Sequence, residues 1–128
     1  MNDSIFTKII KGEIPAHKIY EDDKTIAFLD IHPETPGHTL VVPKIQVDKI
    51  YDLPDEYYTA VWDTARKVAK KLEEVNAVRS RISVVGADLP EHAHIHVFSL
   101  DPANSPATQP KQADNADLTE IAEKLKFK

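Results

Sequence analysis

The chain has no cysteine among its 128 residues, which excludes disulfides, thiolate metal sites and a cysteine nucleophile. That absence fits a reducing cytoplasm, where the protein is expected. It also lacks an excess of basic charge: 16 Lys and Arg stand against 21 Asp and Glu, a net charge of -5. Nucleic acid and anionic membrane surfaces, which attract basic patches, are therefore not expected as partners. No apolar run approaches the roughly 20 residues of a membrane-spanning helix. The run Ile5-Phe6-Thr7-Lys8-Ile9-Ile10 is broken by Lys8 and followed by Lys11 and Glu13, unlike the apolar segment of a signal peptide. No targeting segment is expected. The length suits one domain, residues 1–128, able to bury a core without staples.

What the chain does have is histidine in an unusual place. Three of its six histidines fall in His92-Ala93-His94-Ile95-His96-Val97-Phe98, at every second residue. In an extended strand this period puts the three imidazoles on one face and Ala93, Ile95 and Val97 on the other, against an apolar interior. Neighbouring imidazoles would lie about 6.5 to 7 Å apart. Three readings compete: a polar strand face that happens to carry histidine, a metal site, and a catalytic face. A catalytic metal needs about three converging ligands, and three histidines on one flat strand span about 13 Å. Two of them with His38 or His32 would be needed. Attack on phosphorus uses the row more directly, with His94 as nucleophile flanked by donors that stabilise charge on oxygen and leaving group. His38, at the start of another strand, is a candidate to complete the cluster.

The rest of the chain predicts an α+β fold: an antiparallel sheet of about five strands, one long helix and short terminal helices. Residues 4–11 make a short helix with Ile5, Phe6, Ile9 and Ile10 on one face and Gly12 beyond its end. Strands are expected at His17–Tyr20, Lys24–Asp30, His38–Lys44, Arg81–Val85 and from His92 to about Leu100, with both faces of the second buried. A helical turn is expected within Gln46–Tyr51. The long helix runs from Pro54 to about Asn76, capped by Asp52, with a stripe of Tyr58, Val61, Ala65, Val68, Leu72 and Val75 widened by Trp62 and Ala69. Residues 101–112 read as a surface loop, and Leu118, Ile121, Ala122 and Leu125 mark a final helix. The helices are expected on one side of the sheet. Asp30, at a strand end, is placed to bind vicinal sugar hydroxyls, and Ile31 with Ile5, Phe6 and Phe28 to form a slot for a flat base.

At these residues the chain resembles the histidine triad (HIT) superfamily, whose signature is His-φ-His-φ-His-φ-φ. Residues 4–16, Tyr20-Glu21-Asp22-Asp23, Ala27-Phe28-Leu29-Asp30-Ile31 and Pro36-Gly37-His38-Thr39-Leu40-Val41-Val42-Pro43-Lys44 also resemble family blocks, most closely those of the Hint-like branch. The resemblance covers about residues 4–100. It implies a homodimer that takes a purine nucleotide and hydrolyses a bond at its α-phosphate, in nucleoside phosphoramidates or aminoacyl and lysyl adenylates, through a nucleotidyl-histidine. It makes His94 the nucleophile, with His92, His96 and His38 orienting, binding phosphate and protonating the leaving group. It puts Asp30 on the ribose and Ile5, Phe6, Ile9, Phe28 and Ile31 around the base. His96 in place of the Gln of the uridylyltransferase branch favours hydrolysis. A nucleotide-binding protein with weak or no catalysis, and a Fhit-like dinucleoside polyphosphate hydrolase, are the alternatives.

Two departures stand out. Many bacterial members bind zinc through a Cys-x-x-Cys near the N-terminus and a His after the Pro-Lys strand end. Ser4, Thr7 and Gln46 occupy those positions, so no structural zinc and no cofactor is expected. Ahead of the triad, Val84 precedes Gly86 by two where the family has Asn, and Ala87-Asp88-Leu89-Pro90-Glu91 replaces a longer polar segment. Asp88 and Glu91 would repel a nucleotide if they face it, or meet the cationic end of a lysyl group.

Overall fold

The computed structural model describes residues 3–84, 92–100 and 114–127. The expectations for the turn at 86–91 and the loop at 101–112 lie outside them. Along the chain come α1 (Ile5–Ile10), β1 (Lys18–Glu21), β2 (Thr25–Leu29), β3 (Thr39–Pro43), a 3-10 turn (Ile50–Asp52), α2 (Asp55–Asn76), β4 (Ser80–Ser83), β5 (Ile95–Ser99) and α3 (Asn115–Leu125). The five strands form one antiparallel sheet in the order β1-β2-β3-β5-β4. The fold is α+β, as expected.

Two of the turns have an identifiable cause. Between β1 and β2, Asp22 Oδ1 accepts hydrogen bonds from the Lys24 and Thr25 amides and from Thr25 Oγ1, closing the chain reversal that an Asx side chain favours. Between β2 and β3, Gly37 adopts φ +92, and a Cβ there would lie 2.6 Å from Leu72 Cδ1. Glycine is needed for both reasons.

The central strands β2, β3 and β5 are buried along their whole length. Alternate residues feed two cores. Ala27, Leu29, Val41, Ala93, Ile95 and Val97 pack with α2 and α3, while Ile26, Phe28, Leu40 and Val42 pack with Phe6 and Ile9 of α1. The expectation of helices on one side therefore needs correction: α1 covers the opposite face from α2 and α3. A sheet apolar on both faces must be covered on both. A six-residue helix is too short to persist unaided, so docking Phe6 and Ile9 holds it.

Other details differ from expectation. Pro54, not Asp52, takes the N-cap position of α2, with no side-chain cap bond; Asp52 is used in the 3-10 turn. Asp55 and Glu56 in the first turn still complement the helix dipole. Tyr58 and Val75, at the ends of the predicted stripe, are exposed, whereas Thr64 is buried and hydrogen-bonds Thr25 at 2.8 Å. The helical turn begins later than Gln46. Ile82 is exposed because β4 is an edge strand. Regular strand pairing in β5 begins at Ile95, so His92 and His94 precede the ladder. Among the described residues no helix is long and apolar enough to cross a membrane.

Candidate active site

A cavity of about 560 Å³ opens on the α1 face of the sheet. Of the residues singled out in sequence, Ile5, Phe6, Ile9, Phe28, Asp30, Ile31, His94 and His96 line it; His38 and His92 do not. Ile5 and Ile31 are 54% and 46% exposed, large apolar side chains in a wall that a flat ligand would cover. The wall also includes Ile14, Pro15, Ala16 and His17, and Asn115 and Leu118 from α3, none of which the sequence had marked as site residues. His17 and Asn115 join across it, Nε2 to Oδ1 at 2.9 Å. Their only sequence signal was Pro15-Ala16 within the N-terminal block.

The hydrogen bonds assign protons to each imidazole. His94 Nδ1 lies 3.0 Å from the carbonyl oxygen of His92, which only accepts. His94 therefore donates from Nδ1, and in its neutral form the ring has its lone pair on Nε2. At His38, Nδ1 accepts from the Glu34 amide at 3.1 Å, so the proton sits on Nε2. That nitrogen donates to His96 Nδ1 at 2.9 Å, which leaves the His96 proton on Nε2. The rings of His94 and His96 are 5.0 Å apart and carry opposite tautomers. One presents an electron pair and the other a proton.

Asp30 lies beside the link between His38 and His96. Its Oδ2 is 3.7 Å from His38 Nε2, and its Oδ1 accepts from the His32 amide at 2.9 Å. The connection carrying Asp30 and His38 is anchored at its far end. Thr35 Oγ1 donates to the Ser99 carbonyl, and Asn76 Nδ2 donates to the Pro36 carbonyl and to Ser99 Oγ. The last turn of α2 thus fixes the histidine-bearing connection to the end of β5.

His92 is placed differently from the other two. It is fully buried and away from the cavity wall. Its Nε2 donates to the Pro43 carbonyl at 2.9 Å, and its Nδ1 lies 2.7 Å from Ser4 Oγ. The expected row of three equivalent imidazoles is therefore corrected to a facing pair and one that turns behind it. Burial is the main cause that holds the His92 pKa below the usual histidine value; the neighbouring His94 adds to it, and the Pro43 bond opposes it.

Ser4, Thr7 and Gln46, where the resemblance implies a zinc site in other members, gather around His92. Gln46 Oε1 accepts from the Ser4 amide at 2.8 Å and from Thr7 Oγ1 at 2.9 Å. Two hydroxyls, an amide and one imidazole are not a zinc donor set, which calls for thiolate, imidazole or carboxylate. Hydrogen bonds link Ser4, Thr7, Gln46 Oε1 and His92 Nδ1, and the residues do not fit that metal. Among the described residues, Asp30, His38 and His96 have ligand atoms within 4.8 Å of one another. The His38 proton lies between the two imidazoles, so an ion there would have to displace it.

The arrangement is that of a histidine triad protein. The HIT domain family profile matches residues 11–103, and the chain belongs to that family. It is 34% identical over 127 residues to an uncharacterized HIT-like protein of Methanocaldococcus jannaschii, covering 95% of this chain and 98% of that one. It is 35% identical over 137 residues to an adenosine 5′-monophosphoramidase of Candida albicans, covering 95% and 88%. Among solved structures, a Hit-like protein from Bartonella henselae superposes with a TM-score of 0.90 at 30% identity, covering 98% of this chain and 95% of that one.

Proposed function

We propose that the protein is a nucleotide hydrolase acting at the α-phosphate of nucleoside phosphoramidates or aminoacyl and lysyl adenylates. The observation that carries this is the pair of opposite tautomers on His94 and His96, whose rings are 5.0 Å apart at the cavity wall. The phosphoramidase name of the Candida albicans relative supports the same reading.

In this reading His94 Nε2 attacks the α-phosphorus while the bond to the leaving nitrogen or acyl oxygen breaks. His96 Nε2–H gives its proton to the leaving atom. The His38 Nε2–H on the other side of that ring keeps its hydrogen bond to His96 Nδ1 while the proton leaves Nε2. Water then attacks the nucleotidyl-His94, His96 takes its proton, and the phosphorus–nitrogen bond breaks to release a nucleoside monophosphate. Asp30 binds the ribose hydroxyls, and Ile5, Phe6, Ile9, Phe28 and Ile31 hold the purine. The exposed edge strand β4, with Ile82, supports assembly as a homodimer. The protein is assigned to the cytoplasm.

The test is AMP release from adenosine 5′-phosphoramidate and from lysyl-adenylate by the parent protein and by His94→Ala. Release by the parent alone is expected. AMP binding without release would place the protein among nucleotide-binding modules, and equal rates in both would remove His94 from the chemistry.

A further inference from the structure

His92 belongs to the triad in sequence, yet it does not face the cavity. Both of its ring nitrogens are used behind it, and the group that sets its state is a serine 88 positions earlier. We propose that Ser4 is a positioning residue for His94, acting through His92 and through α1 together.

The distances around His92 select one assignment of its protons. Pro43 contributes a carbonyl, so His92 Nε2 carries the ring proton and Nδ1 must accept. Two hydroxyls lie near Nδ1, Ser4 at 2.7 Å and Thr7 at 3.3 Å. Thr7 has a shorter bond to Gln46 Oε1, at 2.9 Å. Ser4 Oγ also lies 3.2 Å from Thr7 Oγ1, but its approach to His92 is much the shorter, so the hydroxyl that donates to His92 is Ser4. Ser4 is 3% exposed, so water does not take its place.

Two consequences meet at His94. First, a ring pinned at both nitrogens fixes residue 92, and the Ala93 amide, donating to the Val47 carbonyl at 2.7 Å, fixes the next peptide. The His92 carbonyl is thereby held at His94 Nδ1, which selects the tautomer with its lone pair on Nε2. Second, the same Ser4 oxygen accepts from the Thr7 amide as the N-cap of α1. That helix sets the edge of Phe6 against the His94 ring, with centroids 5.0 Å apart and planes at 82°. One hydroxyl therefore sets both the carbonyl behind the nucleophile and the ring that packs beside it. The hydroxyl joins the start of α1 to the chain ahead of β5, and the Ser4 backbone amide adds the chain after β3 through Gln46 Oε1.

The consequence for rate rests on the proposed hydrolase reading; the consequence for tautomers does not. Imidazole 15N spectra of the parent at neutral pH are expected to show His92 protonated at Nε2 and His94 at Nδ1. In Ser4→Ala the His92 Nδ1 signal should lose its hydrogen-bond shift and His94 should become a mixture of tautomers. kcat should fall about tenfold, from loss of one buried hydrogen bond, with KM little changed. Ser4→Thr keeps the hydroxyl and should recover both readouts. His92 protonated at Nδ1 in the parent would overturn the proposal, even if Ser4→Ala does not fold. So would an unchanged His94 tautomer in folded Ser4→Ala, or an equal loss in Ser4→Thr. A parent that releases no AMP would sink the hydrolase reading while the spectra still decide the role of Ser4.

Discussion

His38 donates its Nε2 proton to Nδ1 of His96 across 2.9 Å, and so determines which nitrogen of His96 carries a proton. The Glu34 backbone amide donates to His38 Nδ1, which puts the His38 proton on Nε2. His38→Ala removes the donor and frees His96 to adopt either tautomer. kcat for AMP release is expected to fall on the order of a hundredfold, the usual scale for disabling a proton donor. His38→Gln, which retains an amide donor, should lose less. Equal activity of His38→Ala and parent would remove His38 from the relay.

Asp30, His38 and His96 offer ligand atoms within 4.8 Å of one another, but an ion would have to displace the shared proton. Chelator treatment is therefore expected to leave turnover unchanged. Added zinc should inhibit by taking the His38 and His96 nitrogens that share that proton. Rates measured across a zinc titration check this. Activation by zinc would contradict the relay.

Burial keeps His92 neutral in the native protein, with its pKa below that of the unfolded chain. As pH falls below about 6.5, the unfolded state takes up the proton first. Stability should therefore decline through the window from the unfolded pKa down to the lowered native one, and level off below it as far as this residue is concerned. Above about pH 7 the contribution is fully present. Denaturant titrations of the parent and of His92→Asn across pH 5–7.5 isolate the effect. The slope attributable to His92 should disappear in the variant.

Gly37 sits at φ +92 with the space for a side chain already filled by Leu72. Gly37→Ala combines backbone strain with overpacking of the α2 core and should cost about 2–4 kcal/mol. Because the next residue is His38, turnover should suffer as well. A thermal melt with a parallel AMP-release assay checks both, and an unchanged melting temperature would contradict the packing.

The period-2 pattern of residues 92–98 was a sound guide to the face turned inward: Ala93, Ile95 and Val97 all enter the α2 core. It did not reveal that His92 turns away. That outcome depends on Ser4 and Thr7, 88 and 85 positions earlier, and on a β3 carbonyl, none of which a local period can reach. Asp30 and the apolar slot were readable because they adjoin a strand end and a recognisable block. The contribution of α3 to the cavity was not, because it arises only when Leu118 docks beside the sheet. The side on which α1 packs was implicit in the burial of both faces of β2, since each face needs its own cover.

The central claim is that His94 bonds covalently to the α-phosphorus. The most direct measurement is the stereochemical course at that atom. Hydrolysis of a phosphorus-chiral adenosine phosphoramidothioate in isotopically labelled water reports it. Attack by His94 followed by attack of water comprises two in-line displacements, each inverting, so the account predicts overall retention. Net inversion would mean that water attacks directly, and would contradict the role given to His94.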